Sequence, residues 1–144
     1  MREIPTARSV MTPNPVTISN DKPARTAISM MDDLGIRHLP VTHGHNVVGV
    51  VSERDLRVAS GIEKQANIIV TVGDLCNYDV YSVTPDTPLD IVIEQMEHRI
   101  IGSAVVMESG HVLGLITTVD VCRAFKDLMR SAALREPTAE SYLG

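Results

Sequence analysis

The chain has no tryptophan, one phenylalanine and three tyrosines in 144 residues, so aromatic side chains make up only 3% of it. Its core must come from Val, Ile, Leu, Met and Ala, and base-stacking platforms for single-stranded nucleic acid have no material to be built from. Positive charge is also in short supply. Thirteen Lys and Arg stand against 18 Asp and Glu, a formal charge of -5, which argues against a nucleic-acid partner because phosphate neutralisation needs clustered cations. Only two cysteines occur, Cys76 and Cys122, with no C-x-x-C pair, so neither a disulfide framework nor a zinc site is supported and reduced thiols are expected. Long apolar runs are missing as well. The start, "MREIPTARSVMTPNP", has no signal-peptide core, and later aliphatic stretches are soon broken by Asn, Gly or Ser, so a cytoplasmic protein with no membrane partner is expected. The remaining composition, 44% apolar and 22% charged, fits one compact core or two small, mutually dependent halves.

An internal repeat is what the sequence does contain. At an offset of 65 residues Gly49 falls on Gly114, Asp55 on Asp120, Pro23 on Pro88, Met31 on Met96 and Val41 on Val106, without a gap. Each copy opens with a β-prone run, Val16 to Ile18 or Tyr81 to Val83, followed by a polar turn with Asp and Pro. Apolar residues then recur at helical spacing: Ala24, Ala27, Ile28, Met31 and Leu34 in one copy, and Leu89, Val92, Ile93 and Met96 in the other. Two further β runs follow, Leu39 to Val41 with Val47 to Val51, and Ser103 to Met107 with Val112 to Ile116. Turns at Gly44 and Gly110 make each pair a hairpin, and a second helix begins near Asp55 or Asp120. The expected fold is α/β, of the α+β kind, with two β-α-β-β-α motifs packed about a pseudo-twofold axis, since one unit cannot bury its own sheet face. Motif boundaries of 7–60 and 73–128 are expected, with a linker at 61–72. Residues 129–144 are expected to form a helix end and a tail, because Pro137 interrupts the helical pattern.

The strand-to-helix junctions carry the candidate chemistry. "GVVSERD" at 49–55 and "GLITTVD" at 114–120 each place a hydroxyl three residues before a carboxylate. Asp55 and Asp120 could accept hydrogen bonds from the vicinal hydroxyls of a ribose, while Ser52 and Thr117 stand at helix entrances where free N–H groups favour phosphate. The same spacing is also close to a capping box, in which hydroxyl and carboxylate serve only the backbone. From one copy alone the cap is the simpler reading, and repetition moves the balance towards a ligand. A base carried by that ribose would need an apolar wall, expected from Thr17 and Ile18 or from Ser82 and Val83, positions that ordinary edge-strand packing explains equally well. His43 and His45 in "THGH" lie in a hairpin turn without a third ligand, so a solvated turn is expected there and no metal. No nucleophile-base pair, metal triad or Gly-rich phosphate loop stands out, and catalytic residues are not expected.

Taken together, "SVMTPNPVTI", "GIRHLPV", "VVGVVSERDL" and "VLGLITTVDV" make the chain resemble a tandem CBS-domain protein, a Bateman module, over most of its length. The second copy departs from the pattern where "RHLPV" becomes "GSAVV". The resemblance implies a regulatory module, without catalysis, that binds AMP, ADP, ATP, S-adenosylmethionine or NAD in two clefts between the copies and assembles as a homodimer. It also implies that Arg37 and His38 face the phosphates in the cleft of the opposite copy, beside Thr117 and Asp120, although a solvated pair at a helix end is the alternative. The other cleft, with Ser52 and Asp55, would face Gly102 and Ser103 and lack the basic clamp, leaving the Asp120 site tighter for a phosphorylated ligand. With no second domain in the sequence, the output would pass to a regulated protein partner or through the dimer. The competing expectation is a structural dimerisation module with vestigial clefts.

Overall fold

Apolar spacing sorts this chain into helices and strands, and the computed structural model describes residues 3–135. In chain order the elements are α1 (Ala7–Val10), β1 (Thr12–Pro13), β2 (Ile18–Ser19), α2 (Ala24–Leu34), β3 (His38–His43), β4 (Asn46–Ser52) and α3 (Glu53–Ala66). Then follow α4 (Val72–Leu75), β5 (Ser82–Val83), α5 (Leu89–Arg99), β6 (Ser103–Glu108), β7 (His111–Thr117) and α6 (Thr118–Arg135). Ala24, Ala27 and Met31 are buried on one face of α2, and Leu89, Val92 and Met96 on one face of α5. Pro23 and Pro88 stand immediately before those helices, where a missing N–H removes no intrahelical bond.

The hairpins repeat residue for residue. In β3–β4, His38 lies opposite Ser52 and Val41 opposite Gly49; in β6–β7, Ser103 lies opposite Thr117 and Val106 opposite Gly114. Both carry a register shift just after those valines. Their turns need Gly44 and Gly110, whose φ values of 62° and 78° are left-handed and open to glycine at little steric cost. β2 runs parallel to β3, and β5 parallel to β6, so α2 and α5 are the crossovers between parallel neighbours.

The two copies exchange their leading segments. β1 pairs antiparallel with β7 of the second copy, giving a sheet of order β1-β7-β6-β5, while β2-β3-β4 forms the other sheet. Reciprocally, Asn77 bridges Val50 of β4; Thr6 bridges Pro88, and Thr71 bridges Pro23. Each of these relations recurs with the copies interchanged, as a twofold axis requires. The two cores follow the exchange. Val70, Val72 and Cys76 are buried with Ile18, Met31, Leu39 and Leu56 of the first copy, whereas Ala7 is buried with Val83, Val92 and Ile116 of the second, where Met11 also packs.

This exchange explains Gly49 and Gly114. A Cβ at Gly49 would lie 2.8 Å from both the Asn77 carbonyl oxygen and Cys76 Sγ, and one at Gly114 would collide with the Met11 side chain. It also gives the segment between the copies a structural role. α3 continues to Ala66, and Val70 and Val72 belong to the first core, because the segment before the second copy completes the first copy's sheet. α3 begins at Glu53, near Asp55 as expected, with Ser52 as its N-cap. The tail around Pro137 lies outside the described residues.

Candidate ligand clefts

Ser52 closes β4 in extended backbone (φ -103°, ψ 158°) and caps α3. The Asp55 amide donates to Ser52 Oγ at 3.1 Å, and the Ser52 amide donates to Asp55 Oδ2 at 3.2 Å, a reciprocal capping box. The other copy repeats it: the Thr117 amide donates to Asp120 Oδ2 at 2.8 Å and the Asp120 amide to Thr117 Oγ1 at 3.5 Å. In both copies the cap occupies Oδ2. The copies differ at Oδ1. In Asp120 it accepts from Thr12 Oγ1 and from Arg123, each at 3.0 Å, and the residue is only 3% exposed. Among the described residues the bonds to the Asp55 carboxylate end with the cap, and Asp55 is half-buried. The Asp55 carboxylate thus keeps an acceptor for an incoming hydroxyl while it caps the helix.

A cleft of about 520 Å³ lies at Asp55 and another of about 440 Å³ at Asp120, both of the size that holds a nucleoside-sized ligand. Ser52, Asp55, Gly102 and Ser103 meet in the first; Thr117, Asp120, Arg37 and His38 meet in the second. Each cleft draws on both copies. Two placements differ from those expected. Arg37 and His38 line the Asp55 cleft as well, because His38 starts β3 directly opposite Ser52 while also packing against Gly102, whose Cβ would lie 3.3 Å from His38 Nε2. The Asp55 cleft therefore does not lack the basic clamp, and the premise for a tighter Asp120 site does not hold. Thr17, Ile18, Ser82 and Val83 line neither cleft. Ile18 and Val83 are buried in the two cores, and Thr17 and Ser82 are exposed. The exchanged segments form the walls instead: Thr12 to Val16 beside Asp120, and Asn77 beside Ser52.

Further cations were not anticipated at the lips. Arg54 and Arg57 of α3 line the Asp55 cleft and Arg123 lines the other. The signal was present in "SERDLR", which puts basic residues two and five positions after the capping serine. Arg57 donates twice to Glu53, and Arg37 Nε lies 3.8 Å from the same carboxylate; the Arg57 bond holds the Glu53 carboxyl below the ordinary range. Burial pushes the His38 imidazole below its usual value, opposed by the charge of Asp55. At the expected turn, His43 Nδ1 meets Asn20 Oδ1 at 3.4 Å, and among the described residues no three His, Cys, Asp or Glu cluster to hold a metal. Nor is any helix there long and apolar enough to cross a membrane.

Known proteins resemble the chain in sequence and in fold. The CBS domain profile matches residues 7–61 and 72–127. The inosine-5'-monophosphate dehydrogenase of Nitrosopumilus maritimus is 35% identical over 115 residues, 78% of this chain and 23% of the dehydrogenase. The chain thus spans about a quarter of the length of the curated relatives it matches. Among solved structures, AcuB of Vibrio cholerae superposes with a TM-score of 0.78 at 26% identity, covering 94% of this chain and all (100%) of the other. CBSX2, solved in complex with AMP, gives 0.73 at 25% identity, covering 87% and 98%. Two repeated motifs with exchanged leading segments, matched over both copies, establish that this chain belongs to the CBS domain family as a tandem CBS pair.

Proposed function

We propose that this CBS pair is a non-catalytic regulatory module that binds adenosine-containing small molecules in its two clefts, with AMP, ADP, ATP, S-adenosylmethionine and NAD as candidates. The observation that carries the reading is the Asp55 cleft: a half-buried carboxylate at a helix entrance, with Arg37, His38, Arg54 and Arg57 around it. A ribose diol can donate to Asp55, and phosphates can meet the guanidinium groups, whose planar donors suit phosphate oxygens. The likeness to CBSX2, solved with AMP, supports the same ligand class.

Transmission follows from the exchange of segments. Each cleft is lined by both copies, so a ligand that favours one packing of the copies shifts the population towards it. A regulated protein or a second copy of the chain then meets a changed surface. Phe125, Leu128 and Met129 leave an exposed apolar face on α6, which favours a homodimer and also the second reading, a structural pairing module. Thermal unfolding with each candidate ligand separates them. A ligand at 100 times its dissociation constant adds about 2.7 kcal/mol of stability, whereas the structural module shows no shift with any adenosine compound.

A further inference from the structure

Resting on that adenosine reading, we propose that the clefts take different classes of adenosine ligand. The Asp55 cleft takes a polyphosphate nucleotide such as ATP. The Asp120 cleft takes an adenosine whose 5' substituent is uncharged and apolar, as in a 5'-thioether nucleoside.

Cations are divided unevenly between the clefts. Arg54 and Arg57 line the Asp55 cleft, and the residues 65 positions later are Val119 and Cys122. Arg37 and His38 line both clefts, yet their polar heads lie on the Asp55 side: Arg37 Nε is 3.8 Å from Glu53 Oε2, and His38 Nε2 packs on Gly102. Glu53 is shared by two guanidinium groups, those of Arg37 and Arg57. Positive charge is left over for phosphate in this cleft.

The Asp120 cleft is arranged otherwise. Its own guanidinium, Arg123, is bonded to Asp120 at 3.0 Å and neutralises it. Around the pair stand Pro15, Val16, Leu34, Ile36 and Val119. A phosphate entering here leaves water without gaining an unpaired cation, and such a transfer is unfavourable. An apolar substituent gains instead, by roughly 25 cal/mol for each Å² it buries. The ribose can still reach Asp120 by exchanging with the Thr12 hydroxyl, itself a donor to Oδ1.

Titration calorimetry on the whole chain tests the division, with ATP and 5'-methylthioadenosine added singly and then one into protein saturated with the other. Both should bind the same molecule together. Arg54→Val should weaken ATP about tenfold, the loss of one charge-assisted contact, and leave 5'-methylthioadenosine unchanged. Val119→Arg should weaken 5'-methylthioadenosine and create a second ATP site. Both substituted residues are exposed, so the fold is retained. Mutual competition, or ATP affinity indifferent to Arg54→Val, overturns the division while leaving adenosine binding intact. Failure of both compounds to bind removes the division together with the reading beneath it.

Discussion

Asp55 and Asp120 show how a residue can serve the fold and a site at once. Each uses Oδ2 to complete a cap at its helix entrance, so the sequence pattern could never decide between cap and ligand contact. Their other oxygens separate them, since Oδ1 of Asp120 is taken up by Thr12 and Arg123. Thr12 is 108 residues away along the chain, a pairing no local pattern announces. His38 gives this scale its pH dependence. Burial lowers its folded pKa, so below the unfolded value of about 6.5 the unfolded chain binds more protons and stability falls as pH drops. The loss levels off once pH passes below the depressed folded value. Urea unfolding of wild type and His38→Gln from about pH 8 to about pH 5 should show this slope in the wild type and a shallower one in the variant.

Among the elements, helices and hairpins were legible because their periods differ, and the 65-residue repeat fixed which segments were equivalent. The leading segments were not legible. α1 and α4 have four residues each and β1 has two, too short for periodicity to register. Yet the offset already pairs Thr6 with Thr71 and Met11 with Cys76, positions before the runs taken as the start of each copy. Because these segments cross to the other copy, the expected walls at Thr17, Ile18, Ser82 and Val83 were displaced to Thr12 to Val16 and Asn77. The two glycines report the crossing directly. Gly49→Ala and Gly114→Ala should both destabilise, by about 1 to 3 kcal/mol for overpacking. Gly49→Ala should lose more, because it meets the Asn77 backbone carbonyl, whereas Gly114→Ala meets only side-chain atoms of Met11, from its sulfur back to its Cβ. Denaturant midpoints of the two variants check the order.

At the scale of the whole molecule, the two-copy architecture could be read from sequence since the repeat needs no gap and each unit leaves an apolar sheet face to cover. The balance between the clefts could not, because it depends on where the ends of long side chains settle. Arg37 and His38 lie between two clefts, and only the fold shows that their heads favour one. The central claim, that both clefts hold adenosine compounds, is tested most directly by native mass spectrometry of the intact chain with ATP and 5'-methylthioadenosine. The account predicts up to two ligands bound per chain, with Asp55→Asn losing the ATP adduct and Asp120→Asn the nucleoside adduct. A chain that carries neither compound at any concentration tested, while remaining folded, would contradict it.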